Sequence, residues 1–127
     1  MTQKQMLEII NGYIKAYNAM DVDGMLSFLH PDITFHNVTE GQYGLSVNGR
    51  EEFGTLATQA LSLFKSRQQS ITQTVFDGET ASAKIDYIGT LTADLPPFGT
   101  AGETINFRGR SEFVFKDDFI HILTDYS

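Results

Sequence analysis

The hydrophobic pattern of the chain changes its period near Arg67, and this change limits the possible folds. Before that residue, apolar side chains recur at the three- and four-residue spacing of amphipathic helices. After it, they alternate with polar residues, as in strands that bury one face. With 127 residues, the chain is long enough to bury one core. We therefore expect a single α+β domain, residues 1–127, with helices covering one face of an antiparallel sheet.

The pattern also predicts the order of the elements. Helices are expected at about 3–19, in a short segment capped by Asp21 or Asp23, and at about 50–66 after an Asn48 cap. A first strand is predicted at 32–38, and residues 40–49 are predicted to form a loop. Further strands are expected around 71–76, 81–92, 104–115 and 120–126, with turns at Asp77-Gly78 and Asp117-Asp118. The predicted order is α-α-β-α-β-β-β-β.

Composition excludes several classes of function. A net charge of −7 with scattered basic residues argues against nucleic-acid binding. The absence of cysteine excludes disulfides and thiolate chemistry. His30, His36 and His121 have no metal-ligand spacing, so we expect neither a metal nor a cofactor. Without a long apolar segment or a secretory signal pattern, we expect a cytoplasmic protein that does not bind a membrane.

Two stretches carry a family resemblance. The first, YIKAYNAMDVDGMLSFLHPDITFHN (13–37), has the layout helix, N-A-x-D, helix, P-D, strand. The second, IGTLTADLPPFGTAGETINFRGRSEFVFKDDFIHILTDY (88–126), has a G-T segment, a Pro- and Gly-containing loop, an x-F-x-G strand and a final strand with an acidic residue. The chain thus resembles the nuclear transport factor 2-like superfamily, in particular its SnoaL-like polyketide cyclase branch. The resemblance implies a cone-shaped, cystatin-like fold with a deep pocket at its open end.

In that superfamily, alternate residues of each strand face the pocket, and the other face packs outside, usually in a dimer. The resemblance therefore implies a pocket for a small apolar molecule. Its expected lining residues are Tyr13, Tyr17, Phe35, Asn37, Lys84, Asp86, Ile88, Phe107, Ser111, Phe113, His121, Leu123 and Asp125. The opposite face of the strand at 81–92 would then carry Ala83, Ile85, Tyr87 and Leu91. Because that face is apolar too, we expect a homodimer through the outer face of the sheet.

Asp125 is the central candidate for chemistry. A carboxyl group desolvated in a Phe-lined pocket has a raised pKa, which suits proton transfer near neutral pH. The acidic residue at this place in SnoaL-like cyclases acts as acid or base, and the related limonene epoxide hydrolases have a counterpart. The alternative interpretation is a solvated residue at a frayed strand end.

Lys84 and Asp86 form the second candidate group, because residues two apart on a strand share a face. The resemblance to epoxide hydrolases of this fold implies an arrangement in which a central cation supports two aspartates. Lys84 would take that place between Asp86 and Asp125, although a lysine lacks the planar fork of arginine. The alternative is that this pair simply belongs to a solvated strand face.

Further polar residues match positions that are functional in these families. Asn37 falls where relatives place a group that orients water or substrate, and where ketosteroid isomerases have their Asp base; it also suits a turn. Ser111 stands where those isomerases carry a second acid and the cyclases a histidine. Tyr13 matches a helix tyrosine of the isomerases. Tyr13 and Tyr17 share one helix face, and a pocket-facing phenol could donate to a ligand carbonyl, although core packing is the more common fate of aromatic residues at this spacing.

Together these residues predict cofactor-free acid/base chemistry on a small apolar carbonyl or epoxide substrate, as in a cyclase, isomerase or epoxide hydrolase. The alternative is a non-catalytic ligand-binding or interaction domain of the same fold. A third alternative is a subunit that binds a different protein through the outer face of its sheet.

Overall fold

The computed structural model describes residues 1–39 and 41–127. Over these residues the helices are α1 (Gln3–Asn18), α2 (Val22–Leu26) and α3 (Gly49–Leu61). The strands are β1 (Leu29–Thr39), β2 (Gln42–Asn48), β3 (Phe64–Asp77), β4 (Thr80–Leu91), β5 (Thr104–Lys116) and β6 (Phe119–Tyr126). They form one sheet in the order β2-β1-β6-β5-β4-β3. Neighbouring strands are antiparallel except β1 and β6, which are parallel.

The helices contact the sheet near both of its edges. α1 packs against β3 at one edge, whereas α3 packs against β1 and β2 at the other, and α2 lies between the two helices. The sheet curves around this helical layer, and α3 also contacts β3 at the opposite edge. The predicted α+β class and the cone-like arrangement are confirmed. The residues described contain no helix with the length and apolar character needed to cross a membrane.

Local signals explain where the helices begin. Thr2 and Gln5 form a capping box at the start of α1, with each side chain bonded to the other residue's backbone N–H. Asp21 caps α2 by accepting from the Gly24 N–H at 3.0 Å. Asn48 occupies the N-cap position of α3 as predicted, but its Oδ1 accepts from the Thr34 hydroxyl instead of capping the helix.

Two boundaries differ from the prediction. α3 ends at Leu61 and β3 already begins at Phe64, whereas the helix was predicted to reach residue 66. The cause is that the inward positions Arg67 and Gln69 are polar, so the strand pattern is not visible in the sequence. Residues Gln42–Asn48 form an edge strand where a loop was predicted, while Glu40 lies outside the described residues. Backbone pairing with β1 defines this strand, which needs no apolar alternation.

The predicted orientation of β4 is wrong. Its buried positions include Ala81, Ala83, Ile85, Tyr87 and Leu91, whereas Lys84, Asp86 and Ile88 point to solvent. The physical reason is that the apolar side of a strand must meet the helices, and β4 has one predominantly apolar side. This side belongs to the core of the domain. The outer face of β4 is therefore largely polar, and the argument for a homodimer from a second apolar face no longer holds.

Candidate active site

A cavity of about 360 Å³ lies between the helices and the inner face of the sheet. This size lies within the range typical of small-molecule sites. Helix α1 contributes two tyrosines, β1 contributes Phe35 and Asn37, and β5 contributes Phe107 and Ser111. The wall is mostly apolar, with a few polar groups that converge from different elements. A ligand in this cavity would be desolvated and could form hydrogen bonds with a small number of polar side chains.

Asp125 lies in this cavity between two polar neighbours on adjacent strands. In the sheet register it pairs with Asn37 on β1 and with Ser111 on β5, so the three side chains stand side by side on the inner face. The Ser111 hydroxyl donates to Asp125 Oδ1 at 2.7 Å. Thr39 donates to Asn37 Oδ1 at 3.5 Å, which orients the Asn37 amide nitrogen as the group available to a ligand.

Burial dominates the electrostatics of Asp125. Desolvation raises the pKa of its carboxyl group from 3.8 to about 6, while the bond from Ser111 acts in the opposite direction by stabilising the charged form. A carboxyl group with this pKa is present in both protonation states near neutral pH. It can therefore accept a proton in one step and return it in the next.

Three tyrosines stand close to this carboxyl group. Tyr13 and Tyr17 line the cavity from α1, and Tyr87 lines it from β4. Burial raises the pKa of each phenol, and the charge of Asp125 raises it further. The hydroxyl groups of Tyr17 and Tyr87 are hydrogen-bonded to each other at 2.8 Å. These phenols remain protonated at neutral pH, so they are hydrogen-bond donors and not bases.

Arg67 is a lining residue that the sequence analysis missed. It is only 6% exposed, yet its guanidinium lies 3.7 Å from the centre of the Tyr17 ring and its Nε donates to the Tyr17 carbonyl at 3.2 Å. In the sheet it pairs with Gly89 on β4. The sequence offers one local signal, which is that the polar residues Arg67 and Gln69 are two positions apart and so share a face of β3. The same pattern is typical of an ordinary solvated strand face.

Several predicted lining residues lie elsewhere. Lys84, Asp86 and Ile88 are on the outer face, where Asp86 lies 3.7 Å from the Arg108 Nε. Phe113 and Leu123 face inward as predicted, but they are packed in the main core and do not line the cavity. The predicted inward residues that do line it are Tyr13, Tyr17, Phe35, Asn37, Phe107, Ser111 and Asp125.

His121 also lies away from the cavity. A register shift between β5 and β6 leaves it as an extra residue on β6, so it falls out of the alternation that carries Leu123 and Asp125. Its ring contacts that of His30, with centroids 4.9 Å apart. The pKa of His121 is lowered, mainly by burial and to a smaller extent by the neighbouring His30. Across residues 1–39 and 41–127, no group of three or more candidate side chains could hold a metal ion.

The fold and the cavity define a class of protein: a cone-like α+β domain with an internal cavity and a single acidic side chain among the described lining residues. Residues 10–121 match the family model described as the SnoaL-like domain. The chain therefore belongs to the SnoaL-like family, and its nuclear transport factor 2-like, cystatin-like fold is confirmed.

Solved structures share this fold. A candidate polyketide cyclase from Xanthomonas campestris pv. campestris superposes with a TM-score of 0.83 at 22% identity, over 98% of this chain and 91% of that one. A candidate polyketide cyclase from Silicibacter sp. TM1040 is 27% identical, with a TM-score of 0.77 over 99% and 90% of the two chains. An epoxide hydrolase-like protein of the limonene epoxide hydrolase type from M. tuberculosis gives 0.75 at 17% identity, over 97% and 82%. No curated protein matches this chain in sequence.

Proposed function

We propose that the protein catalyses cofactor-free proton transfer on a small apolar carbonyl compound, with Asp125 as the acid/base group. The observation that supports this most strongly is the partly buried Asp125 carboxyl group in the cavity, whose pKa is raised to about 6. The similarity to candidate polyketide cyclases agrees with this chemistry. In the proposed reaction, ionised Asp125 takes a proton from the carbon beside the carbonyl group, and the bonding electrons move onto the carbonyl oxygen.

The resulting enolate has two possible fates. Where a carbon–carbon double bond is conjugated with it, the enolate can take the proton back from Asp125 at the far carbon of that double bond, which is an isomerisation. Alternatively, it can attack a second carbonyl group of the same molecule, and the new alkoxide then takes that proton, which closes a ring. Both routes leave Asp125 ionised for the next turnover. The Asn37 amide and the tyrosine hydroxyls are the donors available to the developing negative charge.

Carbonyl chemistry is favoured over epoxide hydrolysis because of the number of carboxylates. An acid for the epoxide oxygen and a base for water require two carboxyl groups in the two-aspartate arrangement considered above. Among the described lining residues, Asp125 is the one acidic side chain, since Asp86 lies on the outer face. We therefore propose no supporting role for Lys84 and Asp86.

The test is the exchange of carbon-bound protons for deuterium. Small ketones such as 2-tetralone and phenylacetone are incubated with the protein in D₂O, and the loss of the proton signal beside the carbonyl group is followed by NMR. We expect the rate to rise with pH through about 6, as the base ionises, and Asp125→Asn to lower it by roughly 100-fold or more.

Asp118→Asn is the matched control, because it makes the same chemical change at an exposed turn residue outside the cavity. It should exchange protons at the wild-type rate. The competing interpretation is a binding module, which the replacement of groups that are functional in related enzymes by Asn37 and Ser111 favours. Ketones that bind without exchange, or exchange that survives Asp125→Asn, would refute the catalytic proposal.

A further inference from the structure

The cavity contains a buried cation, Arg67, that forms no ion pair with a carboxylate of the described residues. Arg67 lines the cavity, and the ion pairs formed among the described residues involve other cations. Its Nε donates to the Tyr17 carbonyl at 3.2 Å, and one terminal nitrogen, Nη2, lies 4.0 Å from the Met25 sulfur. The other terminal nitrogen, Nη1, makes no hydrogen bond within the described part of the chain.

The open nitrogen of Arg67 is accessible from the cavity. No buried side-chain nitrogen or oxygen lacks a hydrogen-bond partner within the described residues, so an Nη1 without a partner must have accessible surface. The residue as a whole is buried, and it borders the cavity. Of the described cavities this is the one that Arg67 borders, so we assign the accessible surface of Nη1 to it.

This arrangement is costly unless something compensates it. A charge removed from water is normally paired with an opposite charge and fully hydrogen-bonded. Arg67 is held from behind by the Tyr17 ring at 3.7 Å and by a backbone carbonyl, which fix the guanidinium but do not neutralise it. Arg110, the second arginine that borders the cavity, differs because it is exposed and pairs with Glu112 at 2.8 Å.

We infer that Arg67 binds a carboxylate of the ligand, and that the cavity takes small carboxylic acids with an apolar ring or chain. A planar guanidinium that is already fixed can donate two parallel hydrogen bonds to a carboxylate at little conformational cost. The apolar part of the ligand would meet the aromatic wall, where Tyr87 and Phe107 are stacked with centroids 4.8 Å apart. This inference rests on the cavity of the proposed function and makes keto acids its preferred substrates, ahead of neutral ketones.

The experiment compares acids with their neutral analogues. Phenylacetate and cyclohexanecarboxylate are titrated beside phenylacetamide and cyclohexanecarboxamide, which have nearly the same shape without the charge. Dissociation constants come from ¹H–¹⁵N NMR, with the Arg67 Nε–H signal as the local probe. We expect each acid to bind about tenfold or more tightly than its amide, and to shift that signal, because a charge-assisted hydrogen bond replaces a neutral one.

Variants then assign the preference to a residue. Arg67→Gln should abolish the preference for the acid, and Arg67→Lys, which keeps the charge but not the fork, should retain part of it. Arg50→Gln is the matched control. Arg50 also donates to a backbone carbonyl, that of Leu29 at 2.8 Å, and lies over an aromatic ring, Phe119, but it does not line the cavity. It should leave the preference unchanged.

The outcomes separate this inference from the proposed catalysis. Equal binding of acid and amide to the wild-type protein, or no binding of either acid, refutes the role of Arg67 even if Arg67→Gln does not fold. An undiminished preference in folded Arg67→Gln refutes it as well. If acids bind through Arg67 in both the wild type and Asp125→Asn, but no proton exchange occurs, the catalytic proposal fails and this one stands.

Discussion

Replacing Asp125 by asparagine should change how the stability of the protein depends on pH. The folded protein raises the pKa of this carboxyl group from 3.8 to about 6, so below pH 3.8 it is protonated in both the folded and the unfolded chain. Between the two pKa values it ionises only in the unfolded chain, which lowers the free energy of unfolding as the pH rises. Above about pH 6 both states are ionised, and the loss is complete.

The size of the effect follows from the shift. A difference of about 2 pKa units, at 1.36 kcal/mol each, corresponds to a loss of about 3 kcal/mol for the wild-type protein between acidic and neutral pH. The Asp125→Asn variant does not ionise, and its side-chain oxygen can still accept the Ser111 hydroxyl bond. It should therefore lack this loss and gain stability relative to the wild type as the pH rises.

The measurement is urea unfolding of both proteins at about pH 4.5 and about pH 7.5. Between these two pH values, the free energy of unfolding of the variant should rise by about 2 kcal/mol relative to that of the wild type. Asp118→Asn serves as control, because it makes the same chemical change at an exposed turn residue outside the cavity. A difference between wild type and Asp125→Asn that stays constant with pH, or that shrinks as the pH rises, would show that the carboxyl group is not desolvated.

Four further results are expected. Ser111→Ala should raise the pKa of Asp125 further, because the hydroxyl bond stabilises its charged form; carboxyl ¹³C NMR across a pH titration measures this, and an unchanged or lower pKa would contradict it. Tyr17→Phe should cost about 1 kcal/mol in urea unfolding by removing the bond to the Tyr87 hydroxyl, and no loss would mean that the bond contributes nothing. Asp86→Asn should leave turnover unchanged in the deuterium-exchange assay, whereas a large loss would return this residue to the site. Gly109→Ala should cost about 1–3 kcal/mol, since its added carbon would lie 2.6 Å from the Tyr126 carbonyl oxygen; Gly44→Ala, with 3.7 Å to the Asn37 carbonyl, is the milder control, and equal costs in urea unfolding would contradict the argument.

The order of elements could be predicted because helix and strand periods are local properties. The buried face of α1 and the turn at Asp117-Asp118, whose residues have φ of 54° and 66°, follow directly from nearby residues. The edge strand β2 could not be predicted, since its identity depends on a backbone pairing partner. The start of β3 was hidden by polar inward residues such as Arg67.

The orientation of β4 shows how a resemblance can mislead. Lys84 and Asp86 were matched to a functional pair in epoxide hydrolases. This match placed the wrong set of alternate β4 residues on the inner face of the sheet. The composition of the strand itself contained the correct answer, since Ala83, Ile85 and Tyr87 form its apolar side. Packing against the helices takes precedence over a two-residue motif, and the same rule would have identified Asp86 as exposed.

The site could be predicted in part. Asp125, Asn37 and Ser111 came from family positions, and the structure brings them together across three strands. Arg67 could not be found, because its place in the cavity depends on the register between β3 and β4 and on its contact with Tyr17. Such contacts between distant parts of the chain leave no periodic trace in the sequence.

The parallel pairing of β1 with β6 has a consequence for how the protein folds. Strands β3 to β6 form through successive antiparallel pairings between neighbours in the chain, which close short loops. Asn37 and Asp125 meet only when the first strand docks beside the last, a contact between distant parts of the chain that carries a large loop-closure entropy. The site is therefore assembled by the least local step of folding. Partial opening that detaches β1 would take the site apart while the hairpins remain intact.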